Sequence, residues 1–413
     1  EFLIGGLKQE RFNIVSDPKE SNIVIVNTCG FLDTAREEGI ETILKVAQLK
    51  TNNEIEKLVV MGCFSERFST ELRNELPEVD RFFGTNDQNE IISFLTGKPH
   101  ATIDPDFQRS LLTPNHYAYL KITEGCDNGC TFCSIPLMRG LQKSQPIKWN
   151  LMEANRLAQQ GVKELLVIGQ DTTSYGWDLN PKSSLNELLI ELDTVTDIEW
   201  VRLHYAHPAH LHKDLIASFA NFSKIIPYID MPIQHGSDRL LKKMRRGLNS
   251  YGIKKRIDML REVNPAIAIR TSIIVGYPGE TDEDFKLLCD FIDEIQFDRL
   301  GVFIYSEEEG TFAAINEKDD IPRKVKEERF DVIMSNQQTI NYNKNKKLIN
   351  TVDQIIIDKS SKQENWSIGR SYRDSPEIDN YVKVNSYVPE GTFCKVKYIN
   401  AYEYDLEAKI VHE

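Results

Sequence analysis

Around Ile23 the chain reads NIVIVNTCG, a short apolar run of buried-strand length, and an amphipathic helical pattern follows from about Phe31 to Lys50. The unit then recurs. KLVVMGC, Lys57 to Cys63, is a second strand, and helical spacing continues to about Leu76. Strand and helix repeated in this way predict a parallel sheet with right-handed crossovers, so residues 1–98 read as a small doubly wound α/β domain. A polar stretch from Gly97 to His116, with prolines, reads as a linker.

Beyond it the alternation resumes with longer spacing. Strands are predicted at Tyr117–Ile122, Glu164–Gly169, Trp200–Tyr205, Tyr228–Ile233, Ile267–Gly276 and Arg299–Tyr305, separated by helices such as Asn150–Gln160, Ser184–Asp193 and Asp282–Ile295. Six units over residues 112–347 predict a partial (β/α)6 barrel rather than a closed eight-unit one. A charged helix from Pro322 to about Lys347 ends this region. The pattern then changes to the short alternating segments VDQIIIDKS, YVKVNSY, FCKVKYINAY and YDLEAKIV, which predict a small β-barrel over 348–413. The fold class is therefore multidomain α/β with a β-barrel tail.

Composition narrows the function classes. The chain has 413 residues, 40% hydrophobic and 27% charged, and no apolar run reaches the roughly 18–20 residues of a membrane span. No membrane partner is expected, and a cytoplasmic address is the default. A net charge of -13 argues against broad electrostatic capture of nucleic acid. Seven cysteines are too sparse for a secreted disulfide scaffold. The opening EFLIGG, without Met, reads as the interior of a helix, so the native N-terminus is expected to lie upstream.

Three of the seven cysteines fall within eight residues, in EGCDNGCTFCSIPLMRG: Cys126, Cys130 and Cys133. They follow the first barrel strand, at the carboxyl-end face where parallel α/β folds place their sites. A structural zinc knuckle would need a fourth Cys or His at short spacing, which is missing. Three thiolates suit a 4Fe-4S cluster with one iron left open. Cys29 and Cys63 close successive strands and would share one sheet edge, each followed by a helix N-terminus that favours a nearby anionic cluster; buried packing is the plain alternative. For Cys289 and Cys394, packing is the better reading. HYAHPAHLHK brings His204, His207, His210 and His212 together, but lacks the carboxylate of an HExxH zinc site and reads as a loop.

The C-x3-C-x-Phe-C spacing, with Phe132 before the last cysteine, resembles the signature of radical S-adenosylmethionine (SAM) enzymes. That resemblance implies that the open iron chelates the amino and carboxylate groups of SAM and that its reductive cleavage yields a 5'-deoxyadenosyl radical. VGYPGET resembles the family's adenine-contacting segment, here Gly276, Pro278 and Glu280; a strand-helix junction capped by Thr281 explains the same residues. Beside the cysteines, Gln170 and Asp171 of GQDTTSYG, and Gln234 and Gly236 of MPIQHGS, read as pocket wall for the cofactor's amino acid and ribose.

Over essentially its whole length the pattern resembles the methylthiotransferases, with a TRAM-like, OB-like barrel as the tail. The resemblance implies two 4Fe-4S clusters, the second on Cys29, Cys63 and a third cysteine upstream of Glu1. It also implies two SAM molecules per turnover, one as methyl donor and one as radical source, together with an external electron donor and a sulfur source. Within that family NTCGFLDTAREE, HYAHP and PIQHGSDRLLKKMRRG look closer to the branch that modifies the β-carbon of an aspartate in small-subunit ribosomal protein S-twelve than to the tRNA adenosine branch. From Lys346 to Glu413 the tail carries ten Lys/Arg against eleven Asp/Glu, a poor grip for tRNA phosphates. An acidic enzyme meets a basic ribosomal protein more easily. A radical SAM protein whose second domain only conducts electrons or binds a partner is the alternative from another class.

Overall fold

The computed structural model describes residues 1–31, 33–99 and 109–411. In the amino-terminal unit β1 (Ile23–Thr28), β2 (Lys57–Gly62) and β3 (Arg81–Phe82) form a parallel sheet in that order. Apolar side chains of helix Asp33–Thr51 and of the two short helices after β2 fill one face, with Ile43, Val46, Phe64 and Leu72 buried. Helices Phe2–Gln9 and Gln88–Thr96 cover the other through Leu3, Ile91 and Phe94. Cover on both faces explains why β2 is apolar from Leu58 to Met61. Of the expected linker, residues 100–108 lie outside the described ones.

The central unit is a six-stranded parallel sheet, β4 (Tyr117–Lys121), β7 (Glu164–Ile168), β8 (Trp200–Leu203), β9 (Ile225–Asp230), β10 (Ala268–Val275) and β11 (Arg299–Ile304), each beside its predecessor. A two-stranded ribbon of β5 (Thr123–Glu124) and β6 (Lys143–Ser144) follows the first strand. Helix Asp282–Ile295 has the predicted bounds, set by a Thr281–Asp284 capping box. The fourth strand starts three residues before its predicted position and stops at Asp230. Pro227 obscured its beginning, since proline reads against a strand interior. The MPIQHG segment is instead irregular, although Met231 N donates to Arg270 O (2.8 Å) and Gln234 N to Ser272 O (3.0 Å), so it still runs along β10.

The tail is a closed five-stranded barrel, β12 (Val352–Ser361), β13 (Trp366–Ser371), β14 (Val382–Val384), β16 (Leu406–Ile410) and β15 (Phe393–Ala401). The hydrophobic pattern does not reveal β13, because four of its buried positions are Ser367, Gly369, Arg370 and Ser371. Its end and the following turn pack under the amino-terminal ends of the parallel strands. Arg202 Nε donates to Glu164 Oε1 at 2.7 Å, and Arg370 Nη1 pairs with Glu164 Oε2. Arg299 holds Asp374, Arg270 joins Asp379 (3.2 Å) to Asp230 (3.1 Å), and Tyr117 donates to Glu377 at 3.0 Å. The tail thus floors the central sheet with buried ion pairs, and leaves the opposite, carboxyl-end face for chemistry.

Candidate active site

Beyond β4 the chain enters the cysteine loop, whose two ends are clasped by the β5–β6 ribbon. Gly125 has φ +80°, and a Cβ there would lie 2.3 Å from Leu141 O, so the close approach requires glycine. Cys126 N donates to Gly140 O (3.1 Å), Gln142 N to Asp127 Oδ1 (2.8 Å), and Cys133 N to Cys130 O (3.2 Å). Thr131 anchors the middle: its N donates to Met244 O, its Oγ1 donates to Lys243 O and lies 2.8 Å from Tyr277 Oη, and its carbonyl accepts from Ala313 N. Phe132 packs among Leu240, Met244, Tyr277, Tyr305 and Ala313 and so fixes the loop to the ends of β10 and β11.

All three thiols are free. Burial pushes the Cys133 thiol up to about 12 and raises that of Cys126 as well. The polypeptide alone therefore keeps these two protonated at neutral pH, and metal charge is what would deprotonate them. Among the described residues no three His, Cys, Asp or Glu side chains converge on a single metal ion. A 4Fe-4S cluster needs no such convergence, because each thiolate takes a different iron. Its polar surroundings fit an anionic cluster. Arg246 Nη1 donates to Cys130 Sγ at 2.9 Å and Asn128 Nδ2 approaches Cys126 Sγ at 3.4 Å.

Asp171 lies at the loop's edge. Its carboxylate accepts from Asn128 Nδ2 (2.8 Å), Thr173 N (3.0 Å) and Thr173 Oγ1 (2.6 Å), and Oδ2 lies 2.7 Å from His210 Nδ1. Burial works against its charge, but the bonds from His210 and Thr173 hold the carboxyl well below the usual range. Gln170 Nε2 donates to Glu124 Oε1 (3.1 Å), while its buried Oε1 has no hydrogen-bond partner among the described residues. Burial likewise opposes the charge of Glu124, which Lys121 and Arg139 keep low. Asp171 and Gln170 thus join the cysteine loop directly.

The other pocket-wall residues are placed differently. Gln234 adopts φ +76° and bridges to Ile273. Gly236 faces helix Asp282–Ile295, where a Cβ would lie 2.9 Å from that of Phe291. Gly276, at φ +73°, lies against the Lys326 stem, and Pro278 O accepts from Lys243 Nζ at 2.8 Å. Glu280 is turned inward, where its Oε2 accepts from Gly276 N and Tyr277 N while Oε1 faces Arg329 (3.4 Å). Gly236 and Glu280 thus shape backbone in this structure.

The histidines are spread over different tasks. His207 Nδ1 accepts from Ala209 N (3.2 Å), His210 serves Asp171, and His204 Nε2 lies 3.2 Å from Ser375 Oγ of the tail.

Cys29 is exposed beyond β1, and Cys63 is half-buried at the end of β2. The two turns touch, since a Cβ on Gly30 would lie 2.8 Å from the Cys63 carbonyl carbon. The helix from Cys63 ends at Arg67, after five residues, and supplies little of the dipole its sequence suggests. It packs against helix Ile135–Arg139, which begins two residues after Cys133. The paired thiols of the small domain therefore neighbour the cysteine loop of the barrel. Arg67 fastens them: Nη1 donates to Gly30 O (3.3 Å) and to Glu308 Oε2 (3.1 Å), and Nη2 to Glu309 O.

Sequence reasoning missed Asn128, Thr131, Arg246 and the Arg67–Glu308 pair. None carries a spacing signal, because each acts through contacts that only the assembled fold creates.

A ribosomal protein uS12 methylthiotransferase, RimO, of Christiangramia forsetii is 44% identical over 410 residues, covering 98% of this chain and 90% of that protein. The like-named protein of Prosthecochloris aestuarii is 43% identical over 413 residues, covering 99% and 94%. The chain belongs to this methylthiotransferase family. Within the methylthiotransferase, residues 120–292 match the radical SAM superfamily, 1–84 the uncharacterized protein family UPF0004, and 351–411 the TRAM domain. The fold is shared with the radical SAM methyltransferase TsrM of Kitasatospora setae (TM-score 0.57, 14% identity, 76% of this chain and 73% of that one). Membership makes the enzyme a radical SAM methylthiotransferase with SAM and a 4Fe-4S cluster as cofactors. No helix among the described residues is long and apolar enough to cross a membrane.

Proposed function

We propose that this methylthiotransferase inserts a methylthio group at the β-carbon of an aspartate of ribosomal protein uS12, in the cytoplasm. What carries the reading is the near-complete match to relatives named for uS12. The site agrees with it in kind. When bound, the cluster and SAM would supply one-electron chemistry able to take hydrogen from an unactivated carbon, which acid-base groups cannot do. Cys126, Cys130 and Cys133 would hold the cluster, with Arg246 and Asn128 beside the sulfurs. Gln170, Asp171 and Gln234 lie on the same face, where they would orient SAM. Gly276 and Pro278 would offer backbone to its adenine.

Cys29 and Cys63 would help to hold a second 4Fe-4S cluster, which would supply the sulfur chemistry. SAM, two per turnover as methyl donor and radical source, would supply the methyl-transfer and one-electron chemistry together with an external electron donor and sulfur source. The experiment that tests the substrate is mass spectrometry of uS12 and of tRNA from a deletion strain. Loss of the methylthio mass from uS12 is expected. An unchanged uS12 with tRNA lacking its methylthio group would overturn the reading. Iron and sulfide analysis of protein purified without oxygen tests the second cluster: two clusters should fall to one in Cys29→Ala plus Cys63→Ala.

A further inference from the structure

Arg246 is 5% exposed, yet no carboxylate among the described residues pairs with it. Its Nη1 donates to Cys130 Sγ (2.9 Å), its Nη2 to Pro232 O (2.8 Å), and its buried Nε has no hydrogen-bond partner among the described residues. A buried, unpaired guanidinium is costly, and such groups persist where an anion compensates them. The backbone is shaped to deliver it. Arg245 (φ +57°) and Gly247 (φ +74°) flank it in left-handed conformation, and Arg246 N donates to Leu241 O at 2.9 Å. The same turn holds the cysteine loop, because Met244 O and Lys243 O accept from Thr131. Arg246 and Cys130 are therefore locked in register by bonds that do not involve either side chain.

We infer that Arg246 is a positioning residue that sets the reduction potential of the cluster on Cys126, Cys130 and Cys133, by hydrogen bonding the Cys130 sulfur and neutralising charge beside it. The inference rests on the cluster assignment proposed above. One-electron reduction, by an external low-potential carrier, adds a negative charge to an already anionic group. A fixed cation and a hydrogen bond to a ligand sulfur both favour the reduced form and raise the potential. Arginine suits this place because it stays charged when buried and can serve two acceptors at once.

The test is a redox titration followed by electron paramagnetic resonance, in the Cys29→Ala plus Cys63→Ala background so that a single cluster reports. Iron content is measured alongside. Arg246→Met, similar in length but without charge or donor, should retain iron and shift the midpoint to more negative potential. Arg246→Lys should shift it less. Parental midpoints and spectra in both variants would overturn the inference. Loss of iron from both, with circular dichroism unchanged, would also overturn it, assigning the arginine to cluster assembly. If the background protein itself binds no iron, the cluster assignment fails instead.

Discussion

Arg67 of the small domain and Glu308 of the barrel meet at 3.1 Å across the boundary between the two cysteine sites, with side chains 7% and 4% exposed. Their charges are withdrawn from water, so the pair fixes geometry more than it adds stability. Removing Arg67 leaves Glu308 with only the more distant Arg36, at 3.8 Å. Arg67→Ala is expected to destabilise the protein by about 2 kcal/mol, below the roughly 3–5 kcal/mol of a fully uncompensated buried charge. Hydrogen exchange should quicken in 28–31 and 306–311 together. Acceleration confined to one of the two segments would show that the pair does not couple them.

Glu164 is buried between Arg202 and Arg370. Burial alone would raise its carboxyl, but the two guanidinium groups hold it below the usual range. Glu164→Gln keeps the shape and removes the charge. The expected loss is about 3–5 kcal/mol in chemical denaturation, much larger than for the exposed pair Arg323–Glu327, worth under about 1 kcal/mol. Equal midpoints for Glu164→Gln and the parent would show that the floor of the barrel is not held by these charges.

His207 gives a pH dependence. Burial above all, and Arg246 next, lower its imidazole to about 3. In the folded protein Nδ1 is occupied as an acceptor from Ala209 N. The unfolded chain takes up the proton near pH 6.5, the folded one near 3. Stability from this group is thus complete above pH 6.5 and falls as pH drops from there toward 3. The slope should approach about 1.4 kcal/mol per pH unit. His207→Asn, whose side-chain oxygen can accept the same bond, should flatten the melting temperature between pH 6.5 and 5 relative to the parent. A slope unchanged in the variant would assign the dependence elsewhere.

Asp171 links the pocket wall to the cysteine loop through Asn128. Asp171→Ala frees Asn128 and leaves His210 without its acceptor. A cost of about 2–3 kcal/mol is expected, from several lost hydrogen bonds to a charged group. Iron retained at the Cys126 loop should fall under mild chelator challenge, whereas Asn128→Ala alone should have a smaller effect. Parental iron retention in Asp171→Ala would mean that the loop does not depend on this link.

The parallel strands were legible because burial on both faces makes them apolar, as in Leu58–Met61 of β2 and Leu165–Ile168 of β7, and the thiols because their spacing reflects one local loop. Strand β13 was hidden by Ser367, Gly369 and Ser371, whose burial depends on partners far along the chain. The inward turn of Glu280 was equally invisible: its role as acceptor for Gly276 and Tyr277 is a matter of side-chain direction, and VGYPGET is compatible with either orientation. Arg246 lies in a segment read for its branch character, yet its contact with Cys130 spans 116 residues. Periodicity and motifs report local order, whereas buried charges report on what finally surrounds them.

The floor beneath the barrel has a consequence for how the protein is made. A chain synthesised from its amino end completes the pairs Glu164–Arg202 and Arg270–Asp230, and Arg299, long before Arg370, Asp379 and Asp374 exist to join them. Tyr117 waits 260 residues for Glu377. Until the last stretch has emerged the base of the central sheet carries Arg299 without Asp374 and two ion pairs still lacking their third member, while the cysteine loop is already whole. The order of birth along the ribosome thus gives the metal site a head start over the closure of the domain that houses it.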